Sequence, residues 1–158
     1  MAQDPETRLR ELGLKLPAVP APAGSYVPAT RAGHLVFTAG QLPLRDGELY
    51  KTGKVGDEVS PEEAYEAARL CALNALAAAA AETGGLGGID RIVKVTGFVA
   101  SAPGFNGQAG VLNGASELLG EVFGEAGLHA RSAVGVAELP LDVPVEVEIV
   151  VVSEPTAS

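Results

Sequence analysis

Val145-Glu146-Val147-Glu148-Ile149-Val150-Val151-Val152 alternates, and the alternation decides the fold. Successive side chains of a strand point to opposite faces of the sheet. Val145, Val147, Ile149 and Val151 therefore make one aliphatic face, and Glu146, Glu148, Val150 and Val152 make a mixed one. Working upstream, residues 131–138 read as a second strand, with Ser132, Val134 and Val136 opposing Arg131, Ala133 and Gly135. Residues 91–100 read as a third, with Val93, Val95 and Val99 opposing Lys94, Thr96 and Phe98. His34-Leu35-Val36-Phe37-Thr38-Ala39 is a further β-run that ends at Gly40.

Helices supply the other layer. In Ser60-Pro61-Glu62-Glu63 the serine caps, the proline suits the first turn and Glu63 completes a capping box. A long alanine-rich helix follows to about Glu82, with a core stripe of Ala64, Ala68, Cys71, Leu73 and Leu76. Thr83-Gly84-Gly85-Leu86-Gly87-Gly88 ends it. Phosphate-binding glycine loops follow a strand and open a helix; this one has the reverse order and reads as a cap and turn. A second helix is expected over residues 110–124, carrying Val111, Leu112, Leu118, Leu119, Val122 and Phe123. Residues 4–13 predict a short helix, so residues 1–16 form a helical extension ahead of one domain over 17–154. The prolines at 17, 20 and 22 make the connection an extended lead-in, and Asp46-Gly47 marks a turn.

Two helices cover only one side of such a sheet. Phe98, Val150 and Val152 lie on the uncovered side, which favours a second subunit over water. The expectation is an α+β sandwich that oligomerises through its open sheet face. A charge between subunits is costly unless paired or used, and Arg131 and Glu146 are the candidates there.

Composition narrows the function. The 158 residues are 47% hydrophobic and 20% charged, enough to bury a core in one domain. Eleven Lys and Arg against twenty Asp and Glu give a net charge of -9, which disfavours nucleic acid as a partner. A single cysteine and two histidines exclude a disulfide framework and argue against a metal site. No apolar run approaches the ~20 residues of a membrane span, and residues 1–6 lack a signal-peptide pattern, so a cytoplasmic protein is expected. No metal-ligand spacing or nucleotide motif calls for a cofactor.

Arg131-Ser132-Ala133-Val134-Gly135-Val136-Ala137-Glu138-Leu139-Pro140, followed by Val145-Glu146-Val147-Glu148, resembles the signature of the RidA (YjgF-like) family. Gly24-Ser25-Tyr26-Val27, Phe37-Thr38-Ala39-Gly40-Gln41-Leu42-Pro43 and the run from Ile92 to Val99 agree in the same order, so the resemblance covers roughly residues 20–152. It implies a chorismate-mutase-like α+β fold, with two helices on one face of a mixed sheet and a homotrimer formed through the other. It also implies ligand pockets between subunits, and hydrolysis of reactive enamine or imine intermediates such as 2-aminoacrylate to 2-keto acids and ammonia. Ala39 and Ala133 stand where the family often has serine and cysteine. The loop around Pro103–Gly110 and the N-terminal helix are longer than in short members.

Within that frame Arg131 grips a substrate carboxylate with two hydrogen bonds. Glu146 orients the attacking water, with Glu148 the alternative carboxylate. A backbone carbonyl near Ala133 accepts from the imine nitrogen. Tyr26 and Phe98 shape the pocket, Gly40 and Gln41 form its turn, and Asn113 contacts substrate or caps its helix. Cys71 reads as a buried small hydrophobe and His129 as a surface-loop residue. The ligand is a small carboxylate-bearing imine or keto acid. Two other readings remain: a non-catalytic carboxylate-binding trimer, which needs Arg131 but not Glu146, and an endoribonuclease, which the charge disfavours.

Overall fold

The computed structural model describes residues 3–155. Its main sheet contains β1 (Ala29–Ala32), β2 (Leu35–Thr38), β5 (Arg91–Ala100), β6 (Ala130–Val136) and β7 (Val145–Val152), in the order β1-β2-β7-β5-β6. All neighbours are antiparallel except β5 and β6. A small hairpin, β3 (Leu44–Arg45) with β4 (Glu48–Leu49), turns at Asp46-Gly47. Helices α2 (Pro61–Thr83) and α3 (Gln108–Phe123) cover one face, and α1 (Pro5–Glu11) docks at their end. This is the α+β arrangement the alternation predicts. No helix among the described residues is long and apolar enough to cross a membrane.

The capping signals act as read. Ser60 Oγ accepts from the Glu63 N–H at 3.1 Å and Glu63 Oε1 accepts from the Ser60 N–H at 3.1 Å. Gly84 closes α2 in the left-handed conformation, φ 75°. The glycine-rich segment beyond it already has an anion: Gly87 N–H donates to Glu6 Oε1 of α1 at 2.8 Å.

The core is aliphatic. Val145, Val147, Ile149 and Val151 lie buried under Leu76, Leu112, Leu118 and Leu119. Small residues let the helices approach closely. A Cβ at Gly114 of α3 would stand 2.1 Å from the Tyr65 carbonyl oxygen of α2. Cys71 is fully buried, its thiol 3.4 Å from the Val145 carbonyl oxygen and pushed well up in pKa by burial. It is a packing residue.

Three expectations need correction, and one strand goes beyond them. Leu73 is only partly buried, because it lies two residues from Cys71 and so on another side of α2. A bulge between Ile92 and Lys94 shifts the register, so Ile92 rather than Val93 joins Val95 in the core. Strand β1 follows the proline-rich lead-in without an apolar run to signal it. The facing of β6 is inverted. Its register sets Arg131 beside Val95, Ala133 beside Gly97 and Gly135 beside Val99, so these three share the helix-covered face. Ser132, Val134 and Val136 take the open face. The cause is space. A Cβ at Gly97 would stand 2.1 Å from Leu112 Cδ1, and one at Gly135 would stand 2.9 Å from Gln108 Nε2. Side chains of α3 press on this part of the sheet, so the small residues turn inward and Val134, 46% exposed, turns out.

Gly114→Ala should force α2 and α3 apart and destabilise the fold by about 2–3 kcal/mol. Gly110→Ala, which meets nothing within 4 Å, is the control in a denaturant titration.

Candidate functional site

Because β5, α3 and β6 form a parallel crossover, α3 lies beside the edge strand β6. Arg131 leaves β6 on that side and lies along α3. Its Nη1 donates to Asn113 Oδ1 at 2.9 Å and to Ser116 Oγ at 3.2 Å, and its Nη2 donates to the Ala109 carbonyl at 3.1 Å. A guanidinium has five N–H groups. Three are taken by α3, leaving Nε–H and one on Nη2, the number that a bidentate carboxylate needs. Asn113, expected at a substrate or as a helix cap, accepts from Arg131 and orients it.

Ser116 was not anticipated. Ala109, Asn113 and Ser116 recur at one-turn spacing along α3, and that is the only signal that could have marked it. His129 is also more than a loop residue. Its Nε2 lies 2.8 Å from Ser116 Oγ and its Nδ1 lies 2.6 Å from the Gly127 carbonyl.

A second group gathers on the open face. Glu146 stands beside Phe98 in register, and Phe98 stands beside Val134, so the three form one row across β7, β5 and β6. Burial pushes the Glu146 carboxyl above its usual range, and the charge of Glu148 adds to the effect. Gly40 lies against this carboxylate: a Cβ there would meet Glu146 Oε2 at 2.5 Å. Gln41 bridges to β7 through its backbone, donating to the Val147 carbonyl at 2.7 Å, and its side-chain amide donates to the Ala39 carbonyl at 3.2 Å. Gln41 therefore ties the turn to β7 through its backbone, with one side-chain N–H bonded inside the turn.

Tyr26, Gly40, Gln41 and Leu141 line a cavity of about 140 Å³ against the proline-rich lead-in. The Tyr26 hydroxyl accepts from the Ala23 N–H at 3.1 Å. Leu141 and Asp142 are both left-handed, φ 57° and 59°, a strained conformation for non-glycine residues. Gly53 N–H holds the loop through the Asp142 carbonyl at 2.8 Å, with Leu141 64% exposed at the cavity. A roomier cavity of about 340 Å³ lies on the helix side between Leu14, Leu70, Leu73 and Leu118, and none of the candidate residues lines it.

The structure thus brings the candidates together in two groups, not one. Arg131, Asn113 and Ala133 belong to the helix-covered side of the edge strand. Tyr26, Gly40, Gln41, Phe98 and Glu146 belong to the lead-in and the open face. The expectation that Arg131 and Glu146 share one face of a single chain is corrected by the β6 register. Among the described residues no three His, Cys, Asp or Glu side chains form a group that could hold a metal ion.

Residues 6–151 match the family model described as "YjgF/chorismate mutase-like, putative endoribonuclease". The chain belongs to the YjgF/RidA family. Family relatives include Protein TCP17 of Trypanosoma cruzi, 45% identical over 144 residues and 90% of each chain. The 2-iminobutanoate/2-iminopropanoate deaminase of Salmonella typhimurium is 34% identical over 135 residues, covering 84% of this chain and 91% of that one. Among solved structures, Atu1372 of Agrobacterium tumefaciens, described as of unknown function, superposes with a TM-score of 0.88 at 46% identity, covering 95% and 93% of the two chains. Escherichia coli TdcF with bound serine superposes with a TM-score of 0.64 at 30% identity, covering 86% and 94%. The family fold is therefore that of this chain, and the family includes imine deaminases and a member seen with a small amino acid.

Gly40→Ala should displace the Glu146 carboxylate while leaving the fold intact, because the obstacle is the end of a flexible side chain. The expected outcome is a near-unchanged melting temperature with a changed Glu146 titration, read by carboxyl NMR.

Proposed function

We propose that the chain hydrolyses reactive 2-imino acids and their enamine tautomers to 2-keto acids and ammonia. The pocket is built between copies of the chain, as a homotrimer. The observation that carries this reading is the Arg131 fork, fixed by three bonds to α3 with two donors unspent. In a chain of net charge -9, such a fixed cation supports recognition of a small carboxylate. The serine seen in TdcF and the deaminase activity named for the Salmonella relative are consistent with that ligand class.

Arg131 and Glu146 face opposite ways on one sheet, so a ligand that meets both takes them from different copies. The open edge of β6 and the exposed Val134 and Phe37 on the uncovered face suit such a contact. In the pocket Arg131 anchors the carboxylate. Ionised Glu146 orients a water toward the C=N carbon and favours the iminium form, which is the better electrophile. Water adds to that carbon, the nitrogen takes a proton, the C–N bond breaks, and ammonia leaves as the keto acid forms. Imines hydrolyse unaided, so orientation and a fixed field are sufficient assistance. A backbone carbonyl near Ala133 receives the imine N–H, and Tyr26, Phe98 and Leu141 wall the ligand.

The test generates imines with an amino-acid oxidase while semicarbazide competes for them. The parent should suppress semicarbazone formation and Arg131→Ala should abolish the effect. Glu146→Gln should cost about a hundredfold in rate while keto-acid binding persists. Failure of the parent on every imine tested, with keto-acid binding retained, would favour the carboxylate-binding trimer instead. Light scattering should give the mass of three chains.

The Glu146 shift sets the pH dependence. The base must be ionised, so the rate should fall as pH drops through a value above the ordinary carboxylate range. The sign for stability follows from linkage: the folded chain holds this proton more tightly than the unfolded chain, so the ionised group disfavours the fold. Glu146→Gln should therefore raise the denaturation midpoint at neutral pH and leave it unchanged at pH below the ordinary carboxylate range.

A further inference from the structure

We infer that His129, acting through Ser116, is a positioning residue that holds Arg131 in its carboxylate-binding geometry; the inference rests on the reading of Arg131 as the carboxylate anchor.

With neutral His129 the hydrogen-bond directions leave one arrangement. A carbonyl only accepts, so the 2.6 Å contact with the Gly127 carbonyl places the proton of neutral His129 on Nδ1. Its Nε2 is then an acceptor, and the Ser116 hydroxyl donates to it across 2.8 Å. The Ser116 oxygen keeps its lone pairs for Arg131 Nη1–H at 3.2 Å. The series runs in one direction, from Arg131 to Ser116 to His129 to the Gly127 carbonyl.

Its far end is fixed. Gly127 is buried, and a Cβ there would stand 2.4 Å from the Leu119 carbonyl oxygen, so the turn after α3 is pressed onto the helix. The carbonyl that orients the imidazole therefore cannot drift. The near end matters because a serine inside a helix tends to donate to the carbonyl four residues earlier, here Leu112. Occupied that way, Ser116 would turn its lone pairs from Arg131. By taking the serine proton, His129 keeps the hydroxyl oxygen aimed at the guanidinium. Without it, one of the three contacts that hold the fork loosens, and the two unspent donors lose their fixed direction.

The experiment uses full-length 15N-labelled protein and 2-oxobutanoate as a stable carboxylate probe. Two readouts are followed: the Kd, and the Arg131 Nε–H resonance, whose line width reports side-chain order. Ser116→Ala and His129→Ala should each weaken binding roughly three- to tenfold, the effect of one hydrogen bond, and should broaden the Nε–H signal. His129→Gln, whose amide oxygen can accept from Ser116, should recover most of both. Melting curves identify any variant that fails to fold, and Ser116→Ala, which removes a single oxygen, decides if His129→Ala does. The inference is overturned if Arg131→Ala abolishes binding while Ser116→Ala and His129→Ala keep the parent Kd and a sharp Nε–H line. If Arg131→Ala itself leaves the Kd unchanged, the anchor reading fails, and this inference fails with it.

Discussion

Everything about the candidate site depends on how β6 pairs with β5. The two strands are parallel, so their connection is a helical crossover that sets α3 beside β6. The register puts Arg131 level with Val95, on the face that α3 covers. The arginine thus finds Ala109, Asn113 and Ser116 on a rigid helix rather than solvent or a mobile loop. A slip of one residue would send Arg131 to the open face and Val134 into Leu112. The close approach at Gly97 and the crowding at Gly135 forbid that slip.

The same register separates the two charges that the chemistry needs. Glu146 belongs to β7, whose aliphatic face is committed to the core, so its carboxylate goes to the open side. There it is half-buried, and burial together with the charge of Glu148 raises its carboxyl pKa, as expected of a group that handles a proton. Arg131 is held elsewhere with donors to spare. Neither group satisfies the other within one chain. Because the two groups face opposite ways within one chain, assembly of copies becomes a condition of the chemistry we propose.

Much of this was legible in the sequence where the signal is local. The capping box at Ser60, the glycine stop at Gly84 and the alternation in β7 each depend on a few adjacent residues, and each appears where read. The family signature marked Arg131, Glu146 and the Gly40 turn. The facing of β6 was not legible by hydrophobicity, because the inward positions carry Ala133 and Gly135 while Val134 and Val136 point out. Fit against α3 outweighed apolar burial there, and only the three-dimensional spacing reveals it. The Ser116–His129 contact was hidden for a related reason: the two residues lie 13 apart, joined by a turn whose closeness to α3 no periodicity encodes.

The most direct test of the central claim, that Arg131 of one copy and Glu146 of another build each site, mixes Arg131→Ala chains with Glu146→Gln chains and measures imine hydrolysis. Each variant alone should show at most about a hundredth of the parent activity. In an equal mixture of a closed cyclic assembly about a quarter of the pockets would pair an intact Arg131 with an intact Glu146. The account predicts recovery to about that fraction of parent activity after co-refolding. A mixture that forms mixed oligomers yet stays as inactive as its components would contradict it.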